Sequence, residues 1–467
     1  MRERRPAPPA LPPGSRFALQ VDGLASGGDG VGRHGGIAVF APQAAPGDVL
    51  RVEVTAGAAR LARARILSVE RPGPDRVAPP CPVVGACGGC AWQHLRYDAQ
   101  LQWKRTLVVE ALRRLGHVEE PDALVHPTLP ADPPWRYRHK MAVPFGPPPR
   151  PGLPPRAGFF AARSHDIVPF EECVIQHPAL DRALRESRRL AASLNVPVYD
   201  ERTGRGELRH LVGRASHGGG RVLLCLVTAR PEPRWAAPLA SGLMAALPEC
   251  AGVVLNVHAG PGSAILGPET RPLLGETRLV EELDGLRFLV SAPSFFQVSP
   301  VQAAALYRTA VAQADPPAGG SAFDLYAGVG TLSLYLARRA GAVEAVEDVP
   351  AAVADGRRNA EANGQGARVR FHCGPAEEIV PRLVAAGARP DVAVLDPPRR
   401  GATEPVLAAV AAAAPRRVVY VSCNPATLAR DIGILEASGY RLAEVRPVDM
   451  FPQTPHVECS ALLERRS

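Results

Sequence analysis

The alternation of strands and helices in the last part of the chain constrains its fold most strongly. Between residues 291 and 467, short apolar strands at 322–326, 391–395 and 418–421 alternate with Ala-rich segments of helical pattern. Such an alternation is typical of a parallel sheet with helices on both faces. We therefore predict an α/β fold with a doubly wound, Rossmann-like sheet for residues 291–467.

Polar and reactive side chains follow two of these strands. Cys423 comes directly after Ser422 at the end of one apolar strand, and Asp396 immediately follows another. In open parallel sheets, ligands bind at the carboxyl ends of the strands, so both side chains stand where chemistry is done. A free cysteine at this position is either a nucleophile or a small core residue, and the local sequence fits both interpretations.

A third strand end has the pattern of a cofactor site. The strand at 322–326 runs into a turn that contains Gly328 and Gly330, and glycines let a ligand approach the backbone. Glu347 follows the next predicted strand, where an acidic side chain can bind ribose hydroxyls. The glycines do not spell G-x-G-x-x-G and no anion cradle is evident. The pattern therefore disfavours NAD and predicts a nucleoside cofactor without phosphates.

The N-terminal part of the chain has a different pattern. Residues 1–14 are charged and Pro-rich, and we predict a disordered leader there. Residues 15–71 contain short strands separated by Gly and Pro turns, which predicts a small OB-like β-barrel. A helical pattern covers 95–116, and mostly strand-like patterns follow from about 137. We predict that residues 72–290 form a β-rich central domain.

The net charge indicates a class of binding partner, and the hydropathy indicates the cellular compartment. The net charge of +8 and the isoelectric point near 9.2 favour a polyanionic partner such as nucleic acid without proving one. No apolar run approaches the length of a membrane span, and the N-terminus lacks the apolar core of a signal peptide. We therefore predict a cytoplasmic protein that has no membrane segment.

The nine cysteines are unevenly spaced, and four of them suit a metal site. Cys81, Cys87 and Cys90 lie in one Gly- and Pro-rich segment, and Cys173 joins them from a distant one. Four thiolates bind either a [4Fe-4S] cluster or zinc, and their spacing alone does not choose between the two. The C-x5-C-x2-C spacing does not match the C-x3-C-x2-C of radical S-adenosylmethionine enzymes.

Five ordered motifs resemble those of the RNA 5-methyluridine methyltransferase family over nearly the whole chain. They are Ser294-Phe-Phe-Gln-Val298, Asp324-Leu-Tyr-Ala-Gly-Val-Gly330, Asp396-Pro-Pro-Arg399, Ser422-Cys-Asn-Pro425 and His456-Val-Glu458. The resemblance implies a nucleophile, Cys423, a proton-abstracting base, Glu458, and S-adenosylmethionine contacts from Gln297, Tyr326, Glu347 and Asp396. Ala327 and Ser299 depart from the pattern, where the family often has cysteine and asparagine.

The resemblance also implies an RNA substrate and an iron–sulfur cluster. The four cysteines, followed by Trp92-Gln-His-Leu-Arg-Tyr97, are similar to the cluster-bearing ribosomal RNA branch of the family, and 15–71 is similar to an RNA-binding TRAM domain. The resemblance to that branch predicts 23S ribosomal RNA rather than transfer RNA as the substrate. The remaining alternatives are a cytosine C5 methyltransferase and a non-catalytic iron–sulfur RNA-binding assembly factor. We expect a monomer.

Two aromatic segments each fit two interpretations. Trp135-Arg-Tyr-Arg-His-Lys140 interleaves aromatic and basic residues, which suits contacts to unpaired RNA but equally a solvated strand edge. Phe295 and Phe296 either stack on bases or pack in the core.

Overall fold

The N-terminal segment forms a closed five-stranded barrel. The computed structural model describes residues 10–150, 152–260, 262 and 264–466. The barrel strands are β1 (Arg16–Leu24), β2 (Gly30–His34), β3 (Ile37–Ala41), β4 (Val49–Gly57) and β5 (Leu61–Arg71). Buried and exposed residues alternate along β1, so one face fills the barrel. Residues 1–9 of the predicted leader lie outside the described residues, and Leu11 packs against the barrel core.

A segment with two helices follows the barrel. The helices are α1 (Tyr97–Arg114) and α2 (Pro121–Leu124). Val108 and Leu112 of α1 pack with residues of the C-terminal sheet and its helices, although they lie in the range that we assign to the central domain. Lys104 is fully buried and ion-paired with Asp449, which ties this helix to the last part of the chain. The division at residues 72 and 290 stays a prediction of the sequence.

The central part is one seven-stranded sheet covered on one face by two helices. Its elements are β6 (Lys140–Gly146), β7 (Arg156–Phe160), β8 (Ile167–Pro169), α3 (Pro178–Ser193), β9 (Leu208–Ala215), β10 (Val222–Thr228), α4 (Ala236–Ala246), β11 (Cys250–Val257) and β12 (Glu269–Gly275). The strand order is β12-β11-β10-β9-β6-β7-β8. The strand-rich pattern did not reveal α3 and α4, which pack their apolar sides onto the sheet. A hairpin follows, β13 (Arg278–Leu283) and β14 (Leu286–Ser291).

The C-terminal part is the predicted doubly wound sheet. Its helices are α5 (Pro300–Ala314), α6 (Thr331–Leu336), α7 (Pro350–Ala362), α8 (Ala376–Ala385), α9 (Glu404–Ala413) and α10 (Pro425–Ala437). Its strands are β15 (Ser321–Leu325), β16 (Ala342–Glu347), β17 (Val369–Cys373), β18 (Val392–Leu395), β19 (Arg417–Ser422), β20 (Tyr440–Val448) and β21 (Glu458–Arg465).

The order of these strands fixes where a ligand can bind. It runs β17-β16-β15-β18-β19-β21-β20; β21 is antiparallel to both of its neighbours, β19 and β20, whereas the other neighbouring pairs are parallel. The order reverses between β15 and β18, and a crevice opens at such a switch point on the carboxyl side of the strands. Among the helices of the described ranges, none is long and apolar enough to cross a membrane.

Candidate active site and cysteine site

The predicted nucleophile and base are neighbours across two strands. Ser422 of β19 pairs with Cys459 of β21 in antiparallel register. Cys423 is the next residue along one strand and Glu458 is the preceding residue on the other. The antiparallel register therefore places them side by side at the carboxyl edge of the sheet.

The Cys423 thiol is held in its neutral form. Its pKa is raised to about 11, first by burial and then by the charge of Glu458. The guanidinium of Arg399 acts in the opposite direction and lowers the pKa of this thiol. Because only the thiolate is nucleophilic, this environment disfavours the reactive form of Cys423. The sequence showed Arg399 as part of a motif, but only the fold shows that its charge acts on the nucleophile.

Glu458 has the environment of a general base. Only 4% of its surface is exposed. Burial raises the pKa of Glu458 well above its usual value, the neighbouring Asp396 raises it further, and Arg399 opposes both. A carboxyl group with a raised pKa accepts a proton more readily at neutral pH.

Hydrogen bonds join the nucleophile loop to the loop after β18. The Asn424 side chain accepts a hydrogen bond from the backbone N–H of Ala426 and so caps α10. Its Nδ2 donates to the carbonyl oxygen of Arg399 at 3.0 Å, and the Thr427 hydroxyl donates to the same oxygen at 3.3 Å. These bonds hold the two loops that carry Asp396, Arg399 and Cys423 against each other.

The glycine turn after β15 has an unusual backbone. Tyr326 has a φ of 68°, a left-handed conformation that costs energy for a residue with a side chain. Gly330 has a φ of 81°, and a Cβ there would lie 2.7 Å from the Phe371 ring. The backbone N–H of Gly328 donates to Glu347 Oε2 at 2.9 Å, and that of Val349 to Oε1 at the same distance. Glu347 therefore joins the glycine turn to the end of β16.

Two carboxyl groups near this turn have raised pKa values. Burial raises the pKa of Asp324 to about 7, and burial together with Asp324 raises that of Asp396 to about 7. The Ser333 hydroxyl donates to Asp324 Oδ2. The other carboxyl oxygen of Asp324, Oδ1, is buried without a hydrogen-bond partner among the described residues. A cationic ligand that enters this crevice would stabilise the ionised forms of both groups. S-adenosylmethionine, which carries a sulfonium and an ammonium, fits this requirement.

Gln297 lies in a loop that the neighbouring helix α7 holds in place. The side chain of Gln297 is buried, with 6% of its surface exposed. In the same loop, the Ser294 hydroxyl donates to Asp355 Oδ2 of α7 at 2.8 Å. One turn later on α7, Asn359 Nδ2 donates to the carbonyl oxygen of Val329 in the glycine turn at 3.1 Å. The sequence did not reveal that α7 supports both loops.

The structure shows which aromatic and basic residues of these two segments are buried and which are exposed. Phe296 is buried against Phe288, whereas Phe295 is 65% exposed. In the segment 135–140, Arg136 is ion-paired with Asp181, and Tyr137 is buried with its hydroxyl donating to the carbonyl oxygen of Pro452. These contacts make Arg136 and Tyr137 structural. Arg138 and Lys140 of that segment are half-buried.

The four predicted metal-binding cysteines come together. Cys81, Cys87, Cys90 and Cys173 line one cavity of about 330 Å³. Burial raises the pKa of Cys90 to about 12 and that of Cys173 to about 11, and the other thiols of the group contribute. Within the described ranges, no three His, Cys, Asp or Glu side chains are placed to bind a single metal ion. Arg399 and His456 line the same cavity, so this site adjoins the candidate active site.

Comparison with known proteins identifies the family. A tRNA (uracil-5-)-methyltransferase family model matches residues 388–466, and a TRAM domain model matches residues 12–67. An uncharacterized RNA methyltransferase of Halalkalibacterium halodurans is 41% identical over 449 residues, which cover 96% of this chain and 97% of that protein. Another, from Gloeobacter violaceus, is 41% identical over 463 residues and 99% of each chain. The chain belongs to the RNA (uracil-5-)-methyltransferase family.

A solved structure of a family member has the same architecture. The tRNA (uracil-54, C5)-methyltransferase of Pyrococcus abyssi, in complex with S-adenosyl-L-homocysteine, superimposes with a TM-score of 0.77. The two sequences are 26% identical, and the match covers 96% of this chain and 99% of that one. The predicted family, fold class, TRAM domain and S-adenosylmethionine-dependent RNA methyltransferase activity are therefore confirmed. The iron–sulfur cluster, the roles of individual residues and the identity of the RNA remain predictions.

Proposed function

We propose that this enzyme methylates C5 of a uridine in RNA through a covalent bond between Cys423 and C6 of the base. The observation that carries the proposal is the placement of Cys423 and Glu458 side by side where β19 and β21 meet. Asp396 follows the adjacent strand, and Arg399 lies in the same loop. A nucleophile and a buried base at one edge are what C5 methylation requires.

The proposed chemistry proceeds in two halves. The Cys423 thiolate forms a bond to C6, and the electron pair of the C5–C6 double bond moves into an enolate. C5 then takes the methyl group from the sulfonium of S-adenosylmethionine, which leaves as S-adenosylhomocysteine. Glu458 removes the remaining C5 proton, the double bond re-forms, and the bond from C6 to Cys423 breaks. Because C6 of a stacked base is shielded from the thiol, the uridine must be extruded or lie in a loop.

We assign the cofactor contacts to four residues, three of which stand at the carboxyl ends of β15, β16 and β18. They are Gln297, Tyr326, Glu347 and Asp396. Tyr326, with its left-handed backbone, begins the glycine turn after β15, and Glu347 lies at the end of the adjacent strand, where ribose hydroxyls bind in this fold.

The RNA is proposed to be 23S ribosomal RNA, with transfer RNA as the second candidate. The arrangement of the cysteines ahead of Trp92 resembles the ribosomal RNA branch of the family. The Pyrococcus abyssi enzyme supports transfer RNA as the substrate, because that enzyme is a tRNA methyltransferase and its structure matches 96% of this chain. The length of the chain therefore does not separate the two substrates. Either RNA implies a cytoplasmic enzyme, which we propose to act as a monomer.

We further propose that Cys81, Cys87, Cys90 and Cys173 hold a [4Fe-4S] cluster. One zinc ion would require four sulfurs about 2.3 Å from a shared centre. Each thiolate of a [4Fe-4S] cluster binds a different iron, so its sulfurs stand farther apart. The four thiols share one cavity, which supports the proposal. Protein purified without oxygen should contain about four irons per chain, and stoichiometric zinc would contradict the proposal.

Methyl transfer to defined RNAs tests the reaction and the substrate together. Labelled S-adenosylmethionine is incubated with unmodified 23S and transfer RNA transcripts, and the RNA is digested to nucleosides. Label in 5-methyluridine from one RNA supports the proposal and selects the substrate, whereas label in 5-methylcytidine would indicate the cytosine enzyme. The Cys423→Ala variant should transfer no label. Unchanged methylation by that variant would exclude the covalent mechanism, and no transfer by the wild type would favour an assembly factor.

A further inference from the structure

One residue of the loop before Glu458 has a strained backbone and is almost completely buried. The loop 449–457 connects β20 to β21, and Glu458 is the first residue of β21. Gln453 lies in the middle of this loop with a φ of 70°, and only 1% of its surface is exposed. A left-handed backbone at a residue with a side chain persists only where the surroundings determine it.

The contacts of Gln453 come from α1 and from the cysteine-bearing segment. Gln100 Nε2 donates to Gln453 Oε1 at 2.9 Å, and the Gln453 backbone N–H donates to Gln100 Oε1 at 2.9 Å. The Gln453 carbonyl oxygen accepts from the backbone N–H groups of Ala91 at 3.1 Å and Trp92 at 2.9 Å. Ala91 directly follows Cys90. Two of these four hydrogen bonds therefore join the loop before the base to the chain just after Cys90, and the other two join it to α1.

The same loop forms part of the wall of the cysteine cavity. Phe451, Thr454 and His456 line that cavity together with the four cysteines. The Tyr137 hydroxyl donates to the carbonyl oxygen of Pro452 at 3.0 Å. The loop is therefore held by hydrogen bonds from the residues after Cys90, from α1 and from Tyr137, and Glu458, which directly follows it, is only 4% exposed.

We propose that Gln453 is a positioning residue for the base Glu458, and that the cysteine-bearing segment acts on catalysis through it. This inference rests on the proposed function. If the hydrogen bonds to Gln453 are lost, the loop opens and the start of β21 moves. Addition of Cys423 to C6 and methyl transfer do not need Glu458, but removal of the C5 proton does. Loss of the tether should therefore slow the second half of the reaction and leave RNA bound to Cys423.

The test measures trapped adduct as well as turnover, with ordinary uridine RNA and S-adenosylmethionine. Gln453→Gly removes the side-chain oxygen that accepts from Gln100 Nε2 and keeps the left-handed backbone comfortable, and Gln100→Ala removes both hydrogen bonds between the two glutamines. Gln102→Ala is the matched control, because Gln102 lies on the same helix and is exposed. We expect turnover to fall about 10- to 100-fold in the first two variants, as for a displaced catalytic group, with adduct visible on a denaturing gel. The control should behave like the wild type.

Depletion of metal from the wild-type protein provides a measurement that does not depend on activity. Hydrogen exchange of the backbone amides in 451–457 should become faster in chelator-treated protein, and also in Gln453→Gly. The same protection in treated and untreated protein would overturn the link between the cysteine segment and the loop.

Glu458→Gln separates failure of this inference from failure of the proposed function. That variant lacks the base, so it should accumulate the adduct whatever holds the loop. If it forms no adduct, the proposed chemistry is wrong. If Glu458→Gln forms the adduct while a folded Gln453→Gly or Gln100→Ala turns over normally without one, the positioning role of Gln453 is wrong. Thermal unfolding shows which of the two variants is folded, and the turnover of that folded variant decides whether Gln453 has a positioning role.

Discussion

Cys423 should react slowly with an alkylating reagent in the free enzyme, and its rate should rise steadily with pH. The pKa of this thiol is raised from 9.0 to about 11 by burial and by Glu458. Two pKa units correspond to about 2.7 kcal/mol and to a thiolate population about 100-fold lower near pH 8. Because only the thiolate reacts, we expect the alkylation rate to increase about tenfold per pH unit between about pH 7 and pH 10.

Arg399→Gln should slow this alkylation further. The guanidinium of Arg399 lowers the pKa of the Cys423 thiol. Removal of that charge therefore raises the pKa and reduces the thiolate population. Arg400→Gln is the matched control, because Arg400 is the exposed neighbouring arginine and, unlike Arg399, is not among the main groups that shift the pKa of Cys423.

The assay follows one cysteine among nine. The protein is treated briefly with iodoacetamide across a pH series and digested, and mass spectrometry measures the modified fraction of the peptide that contains Cys423. The exposed Cys373 is an internal standard for reagent activity. A rate that reaches a plateau below pH 9 would show that the thiol is already ionised in the free enzyme. That result, or faster alkylation in Arg399→Gln, would refute the electrostatic reasoning.

Two further substitutions test the supports of the site. Lys104→Met should destabilise the protein by about 3–5 kcal/mol in urea unfolding, because it leaves the carboxylate of Asp449 buried without its ion-pair partner. The double variant Lys104→Met/Asp449→Leu should recover most of this loss. A loss below about 1 kcal/mol in Lys104→Met alone would contradict the role of this ion pair. Asp355→Ala should weaken S-adenosylhomocysteine binding in calorimetry by about tenfold, the effect of one or two lost hydrogen bonds, because the loop that carries Gln297 is released. Glu361→Ala on the same helix is the control for this second variant, and equal affinities in the two would rule out the support by Asp355.

The nature of the chemistry was readable from the order of short motifs. Residues at the carboxyl ends of parallel strands meet at one edge of the sheet, so the positions of Asp396 and Cys423 after two apolar strands were sufficient to place them together. The two helices of the central sheet were not readable in the same way. Their apolar residues recur over short stretches between strong strand patterns, and packing on the sheet decides their conformation.

The sequence by itself determined the doubly wound sheet, the N-terminal barrel, the family and the candidate catalytic pair. These follow from local periodicity and from motifs whose residues lie close together in the chain. Only the tertiary structure decided that α1 packs on the C-terminal sheet, that Gln100 binds Gln453, and that Arg399 acts on Cys423. Each of these contacts joins residues that are far apart in sequence. Their energies depend on burial and on hydrogen bonds that form only when the chain is folded.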